Sequence, residues 1–173
     1  MKTYTFDDVV NTLNQVASYD WRGFWTERLT NHGPGAPLTG IEASGWKLVY
    51  DEKRSDLEMA EEERDGTNAA YSLGLLLNKD GVIRDAIVGM PAAKAGIGPG
   101  MMVTAVNERK FSSHALRDAL TEGRTSSAPM ELLIENTDQF HTYKLDYHDG
   151  EKYPHLVRDE SKPDVLSEII TPK

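Results

Sequence analysis

Apolar and polar positions divide the chain into an amphipathic front, a charged middle and a strand-rich back half. Over 5–29, Phe6, Val9, Val10, Leu13, Val16 and Ala17 recur every three or four residues, the spacing that lines one face of a helix. Thr5 with Asp8 three residues on has the form of a capping box with Asp in place of Glu, and Asp7 and Asp8 suit the positive end of a helix dipole. A second helical stretch is predicted from near Asp20 through Trp21, Phe24, Trp25 and Leu29, carrying two of the three Trp residues. Such an aromatic face needs burial, on the rest of the chain or on a neighbour. The stretch 31–45 (NHGPGAPLTGIEASG) is dense in Gly and Pro and reads as a connector, and 46–50 (WKLVY) alternates as a half-buried strand does.

The stretch 51–68 (DEKRSDLEMAEEERDGTN) is highly charged. It reads as an exposed loop or mobile hairpin extension, its carboxylates a solvated surface rather than metal ligands. Strands are predicted over 70–77 and 82–88, joined by a tight turn at 78–81 (NKDG). A short helix over 91–95 opens with Pro91 and closes at Gly96. A strand over 101–106 and a turn over 107–110 lead to an amphipathic helix over 112–122, with Ser112 or Ser113 as N-cap and Gly123 as stop. Strands over 130–135 and 142–147 complete the series. This order belongs to a compact α+β domain around a small antiparallel β-barrel with two helices, preceded by an N-terminal helical segment. The expected partition is 1–32 helical, 33–69 linker, strand and acidic loop, 70–147 the barrel domain, and 148–173 a C-terminal tail.

One run resists a purely structural reading. SLGLLL, at 72–77, places Gly74 inside the most apolar strand candidate. It suits a buried strand with a bulge, or a backbone loop shaped to receive a group.

Composition narrows the classes of partner. The 173 residues carry a net charge of −9 and a pI near 5.0, which argues against nucleic acid or an anionic membrane, since both reward clustered Lys and Arg. Cys is absent, so disulfides, thiolate metal sites and Cys nucleophiles are excluded together. MKTYTFDDVV lacks the apolar core of a signal peptide, and no apolar stretch approaches a membrane span.

The segment 89–107 (GMPAAKAGIGPGMMVTAVN) resembles the core of a PDZ domain, and the likeness continues through FSSHALRDAL to cover about 71–147. Met101 and Glu108 depart from the usual Asp and Gly. The strand order resembles the circularly permuted form found in bacterial proteases. The flanks SYDWRGFW, ASGWKLVY and LDYHDGEKYPHLVRDESKPDVL resemble the C-terminal region of the glycyl-aminopeptidase family of zinc metallopeptidases. That resemblance implies a piece of a longer protein in which Met1 is a boundary or a replacement start, with zinc in the parent's catalytic domain and no cofactor in this chain. It leaves open whether the parent is cytoplasmic or periplasmic.

Catalysis by this chain is not expected. A zincin needs HExxH, so that two imidazoles one turn apart reach one metal and the Glu activates water. His32, His114, His141, His148 and His155 never stand in that pattern. His148 and His155 read as hydrogen-bonding groups of a tail packed on the domain. No Ser sits in a nucleophile elbow, which leaves a free-standing protease without support.

What the PDZ resemblance implies is binding. Ser72, Leu73, Gly74 and Leu75 correspond to the carboxylate-binding loop, whose successive amides cradle a terminal carboxylate. Leu75, Leu76 and Leu77 would offer a free strand edge. The opposite wall is the helix bearing Ser113, Leu116, Arg117 and Leu120, with Leu73, Leu75, Leu116 and Leu120 as pocket residues and His114 an exposed first-turn residue. Expected partners are peptide or protein C-termini or extended segments, and the parent's catalytic domain. The chain would recruit or position substrate, or it would stabilise the parent peptidase with its groove occupied in cis. Gly74→Val separates a loop glycine, which costs binding, from a structural one, which costs the fold.

Overall fold

The computed structural model describes residues 3–31 and 36–172, so Met1, His32 and the 32–35 part of the connector lie outside the described residues. The described residues within Met1–Trp46 and Asp159–Lys173 form one compact unit, and Lys47–Arg158 a second.

In the first unit, α1 (Phe6–Val16) opens on the expected box: the Thr5 side chain accepts from the Asp8 amide, and Asp8 accepts from the Thr5 amide at 2.8 Å. Helix α2 (Trp21–Thr30) is capped by Asp20, which accepts from the Gly23 amide at 2.9 Å. Its aromatic residues Trp21, Phe24 and Trp25 are half-buried, and with the exposed Tyr19 just before the helix they meet edge to face at 5.0–6.1 Å between ring centres, the geometry ring quadrupoles favour. Part of the predicted connector is helical, α3 (Thr39–Ala43).

Strand β1 (Trp46–Asp51) lies in the second unit from Lys47 on, and the charged stretch after it is not a loop. Its Ser55 and Glu58 form a full capping box that starts α4 (Asp56–Asp65), and Gly66 ends it. Two short strands follow, β2 (Asn68–Ala69) and β3 (Leu75–Leu77), and then β4 (Ile83–Ala86). The predicted strand over 70–77 is therefore strand only in its last three residues, and 70–74 is a turn. Gly74 thus lies in the turn rather than at a bulge within a strand; the register shift against β4 falls later, between Leu76 and Leu77. Helix α5 (Pro91–Lys94), β5 (Met102–Val106), α6 (Ser113–Gly123), β7 (Met130–Asn136) and β8 (Gln139–Leu145) follow in the anticipated order, and the predicted turn over 107–110 holds a short strand, β6 (Arg109–Lys110), between β5 and α6. The tail is also structured, as β9 (Tyr153–Arg158) and, in the first unit, α7 (Val165–Ile170). Asp164 caps α7 and accepts from the Trp46 indole N–H at 2.9 Å.

The fold is thus mixed α and β with antiparallel pairing. The ladders run β1-β9, β2-β3-β4 and β6-β5-β7-β8, and they do not close into the expected barrel. Side chains from the 70–74 turn, β3, β5, β7 and α6 make one core: Leu73, Leu75, Leu77, Val103, Leu116, Leu120, Leu132 and Ile134 are all at most 3% exposed. No helix among the described residues is long and apolar enough to cross a membrane.

Candidate functional site

Residues 66–77 and α6 build the site, and the loop comes first. Gly74 has φ +80°, and a Cβ there would stand 2.3 Å from Met90 Cβ. Only glycine accepts both that backbone and that approach. Turning at Gly74 aims successive amides inward. Ser72, Leu73 and Gly74 donate to a single acceptor, the Ala69 carbonyl oxygen, at 3.3, 3.0 and 2.9 Å. The outer side of the loop is fixed by the Ile87 amide on the Gly74 carbonyl (2.8 Å) and the Ala92 amide on the Leu73 carbonyl (3.0 Å).

The strand edge comes next. Strand β3 has β4 on one side and β2 on the other, with Asn68 opposite Leu76 and Ala69 opposite Leu75. The Leu77 amide continues this pairing by donating to the Thr67 carbonyl at 2.9 Å. The free edge expected along Leu75, Leu76 and Leu77 is therefore taken by the chain's own 67–69 segment. Gly66 makes the approach feasible: at φ +108°, a Cβ would lie 2.3 Å from the Leu77 carbonyl oxygen.

Helix α6 forms the far wall. Ser112 caps it by accepting from the Ala115 amide at 3.0 Å. Ser113, in its first turn, shares a hydrogen bond with Thr67, hydroxyl to hydroxyl at 2.6 Å. Leu116 and Leu120 lie in the same buried cluster as Ala69, Leu73 and Leu75. The anticipated pocket residues are thus brought together, but packed shut as core. Leu76 points away, half-buried, into an open cavity of about 430 Å³ shared with Glu58, Glu61, Asp65 and Arg84. His114 is exposed, 3.4 Å from Asp118.

Arg117 faces α4. It ion-pairs with Glu62, which also accepts from Arg54 at 2.8 Å, and its Nε lies 3.3 Å from Glu151. Burial is the largest influence and works against the guanidinium's charge, yet its pKa is raised because the interactions with Glu62 and Tyr153 together outweigh it. Tyr153 donates to Glu151 beside it, and its phenol is pushed up to about 12, chiefly by burial and then by that carboxylate. Sequence reasoning missed Glu62, Thr67 and Ala69 as parts of this site. The Ser55–Glu58 box, followed by a helix ending at Gly66, was the available signal.

His148 and His155 are both engaged within the second unit. His148 Nδ1 lies 2.8 Å from the Gly123 carbonyl and Nε2 2.8 Å from Asp146, while His155 Nε2 lies 2.7 Å from the Lys53 carbonyl. Among the described residues no group of three or more His, Asp or Glu is placed to hold a metal ion.

The chain superimposes on an aminopeptidase N family protein from Idiomarina loihiensis with a TM-score of 0.62 at 17% identity, over 98% of this chain and 29% of that one. It therefore spans less than a third of that structure's length, and the likeness is one of fold. The HtrA3 PDZ domain bound to a phage-derived ligand aligns at 13% identity and a TM-score of 0.34, over 65% of this chain and 91% of its own. No protein-family model and no curated protein matches the sequence.

Proposed function

We propose that this chain is a noncatalytic, peptidase-associated part of a larger aminopeptidase-like protein, with a PDZ-like groove that is filled in cis. The observation that carries the reading is the convergence of the Ser72, Leu73 and Gly74 amides on the Ala69 carbonyl oxygen. In a PDZ-type receptor such amides receive a terminal carboxylate, and here a backbone oxygen of the same chain stands in for it. The pairing of β2 on β3 supports the same reading, because added peptides use that kind of edge.

The motif at 89–107 supports the PDZ-like assignment, and the fold-level likeness over nearly the whole chain supports the peptidase context. In that context the domain stabilises or positions its parent. Ser72, Leu73, Gly74, Leu75, Leu76 and Leu77 form one wall of the groove, and Ser113, Leu116, Arg117 and Leu120 the other. Any zinc belongs to a catalytic domain elsewhere in the parent, and no step here runs through it.

The test is amide hydrogen exchange on the ¹⁵N-labelled chain, together with the scalar coupling transmitted across the Leu77–Thr67 hydrogen bond. Protection of Ser72, Leu73, Gly74 and Leu77 with a measurable coupling is expected. Exchange at loop rates with no coupling would overturn occupancy in cis.

A further inference from the structure

We infer that the outer edge of β8 is an interface for a second copy of this chain: two β8 strands pair antiparallel about a twofold axis at Thr142 and join two four-stranded sheets into one. This edge belongs to a different sheet from the groove and does not depend on how the groove is read.

The edge is open and regular. In the order β6-β5-β7-β8, β8 is the last strand, and among the described residues no strand pairs with its outer side. It matches β7 along its whole length without a register shift, from Asn136 opposite Gln139 to Met130 opposite Leu145. It holds no Pro and no bulge, two of the devices that blunt an exposed edge. A third device is a charged side chain, and there Lys144 is engaged by Glu131 of β7 at 2.8 Å.

Which backbone groups face outward follows from β7. The Glu131 carbonyl accepts from the Asn107 amide at 2.8 Å, and the Leu133 carbonyl accepts from the Thr104 hydroxyl at 3.0 Å. The odd-numbered residues of β7 therefore turn their backbone toward β5, and the even-numbered ones toward β8. Phe140, Thr142 and Lys144 stand opposite the odd-numbered residues, so their amides and carbonyls point away from β7 and lie ready for another strand.

The strand is matched to its own reverse. Of the twofold registers that bring those outward groups together, the one centred on Thr142 pairs every residue from Gln139 to Leu145. It sets Thr142 against Thr142 of the second copy, Phe140 against Lys144 and His141 against Tyr143. Threonine opposite threonine and an aromatic ring beside a cation are favourable cross-strand pairs, and no charge meets its own sign. Residues 139–145 carry no carboxylate, so two copies approach here without the repulsion that a net charge of −9 imposes elsewhere. Phe140, 60% exposed, gains burial beside the second strand.

The experiment is sedimentation velocity of the full chain from about 10 μM to about 1 mM, the range suited to an edge contact that buries less than about 1,200 Å². The natural chain should pass reversibly from monomer toward dimer as concentration rises. Thr142→Glu and Thr142→Lys each set like charges opposite one another on the axis and should weaken association about five- to tenfold. An equal mixture of the two pairs a carboxylate with an ammonium and should regain it. Thr142 is exposed, so both variants should keep the natural chain's thermal midpoint. A monomer at every concentration would overturn the inference and leave the edge to an extended segment of a different protein. A dimer indifferent to both substitutions, or one that the mixture fails to restore, would overturn it by placing the contact away from the Thr142 axis.

Discussion

Gly74 shows how much one residue can fix. Its positive φ turns three amides onto one oxygen, and its missing Cβ leaves room for Met90. The sequence posed a choice between a loop glycine and a structural one, and the contact with Met90 makes it structural whatever else it serves. Gly74→Val is expected to lower stability by about 2 kcal/mol or more, since left-handed backbone strain adds to overpacking, read as a shift of the urea midpoint. His148 is the second residue with a measurable signature. Its two ring nitrogens face two acceptors, and the Gly123 carbonyl followed by the Asp146 carboxylate raises its pKa above the usual 6.5. Both acceptors are served only by the charged ring. A raised folded-state pKa contributes stability that is full below 6.5 and is lost as pH rises through the folded value. The thermal midpoint of the natural chain should therefore fall across that window relative to His148→Phe. Parallel pH profiles for the two would show that the ring carries no linked proton.

At the scale of elements, α4 is defined by its ends rather than by its faces. The Ser55–Glu58 box satisfies its first amides, and Gly66 releases the chain toward β3. Ser55→Ala should cost the helix about 1 kcal/mol. Because α4 buries no side chain, the cost is expected to appear locally, as faster amide exchange within 56–65, while the global unfolding midpoint barely moves. A large drop in that midpoint would mean that α4 is integral to the core. Helix α6 is its opposite: Ala115, Leu116, Ala119 and Leu120 are all buried, so a substitution such as Leu116→Ala is felt throughout the core, at about 2–5 kcal/mol.

The whole molecule divides its apolar burial unevenly. The core from Ala69 to Tyr147 lies wholly within the second unit. In the first, Val10 is the apolar side chain buried to a comparable degree among the described residues, whereas Tyr4, Val16, Leu29 and Ile169 are well exposed. A fragment spanning 47–158 should therefore keep a cooperative thermal transition within a few degrees of the full chain's, and limited proteolysis should trim the first unit before it. Loss of cooperative unfolding in that fragment would show that the core depends on the first unit.

What the chain wrote locally could be read locally. The stripe of α1, the caps Thr5 and Ser112 and the Pro91 start of α5 depend on neighbours within one helical turn, and each appears in the structure. The turning glycine of the loop was legible for the same reason. The tertiary structure alone decided which distant positions meet beside β3: Thr67 meets Ser113 across 46 residues and Glu62 meets Arg117 across 55. It also decided that the barrel stays open and that the tail pairs as β9 with β1. A two-residue strand has no periodicity to detect, and an ion pair between distant positions has no local spacing. Both form only when the folded core has brought their partners within reach, which is why the turn at Gly74 was legible in the sequence and the pairing of 67–69 with β3 was not.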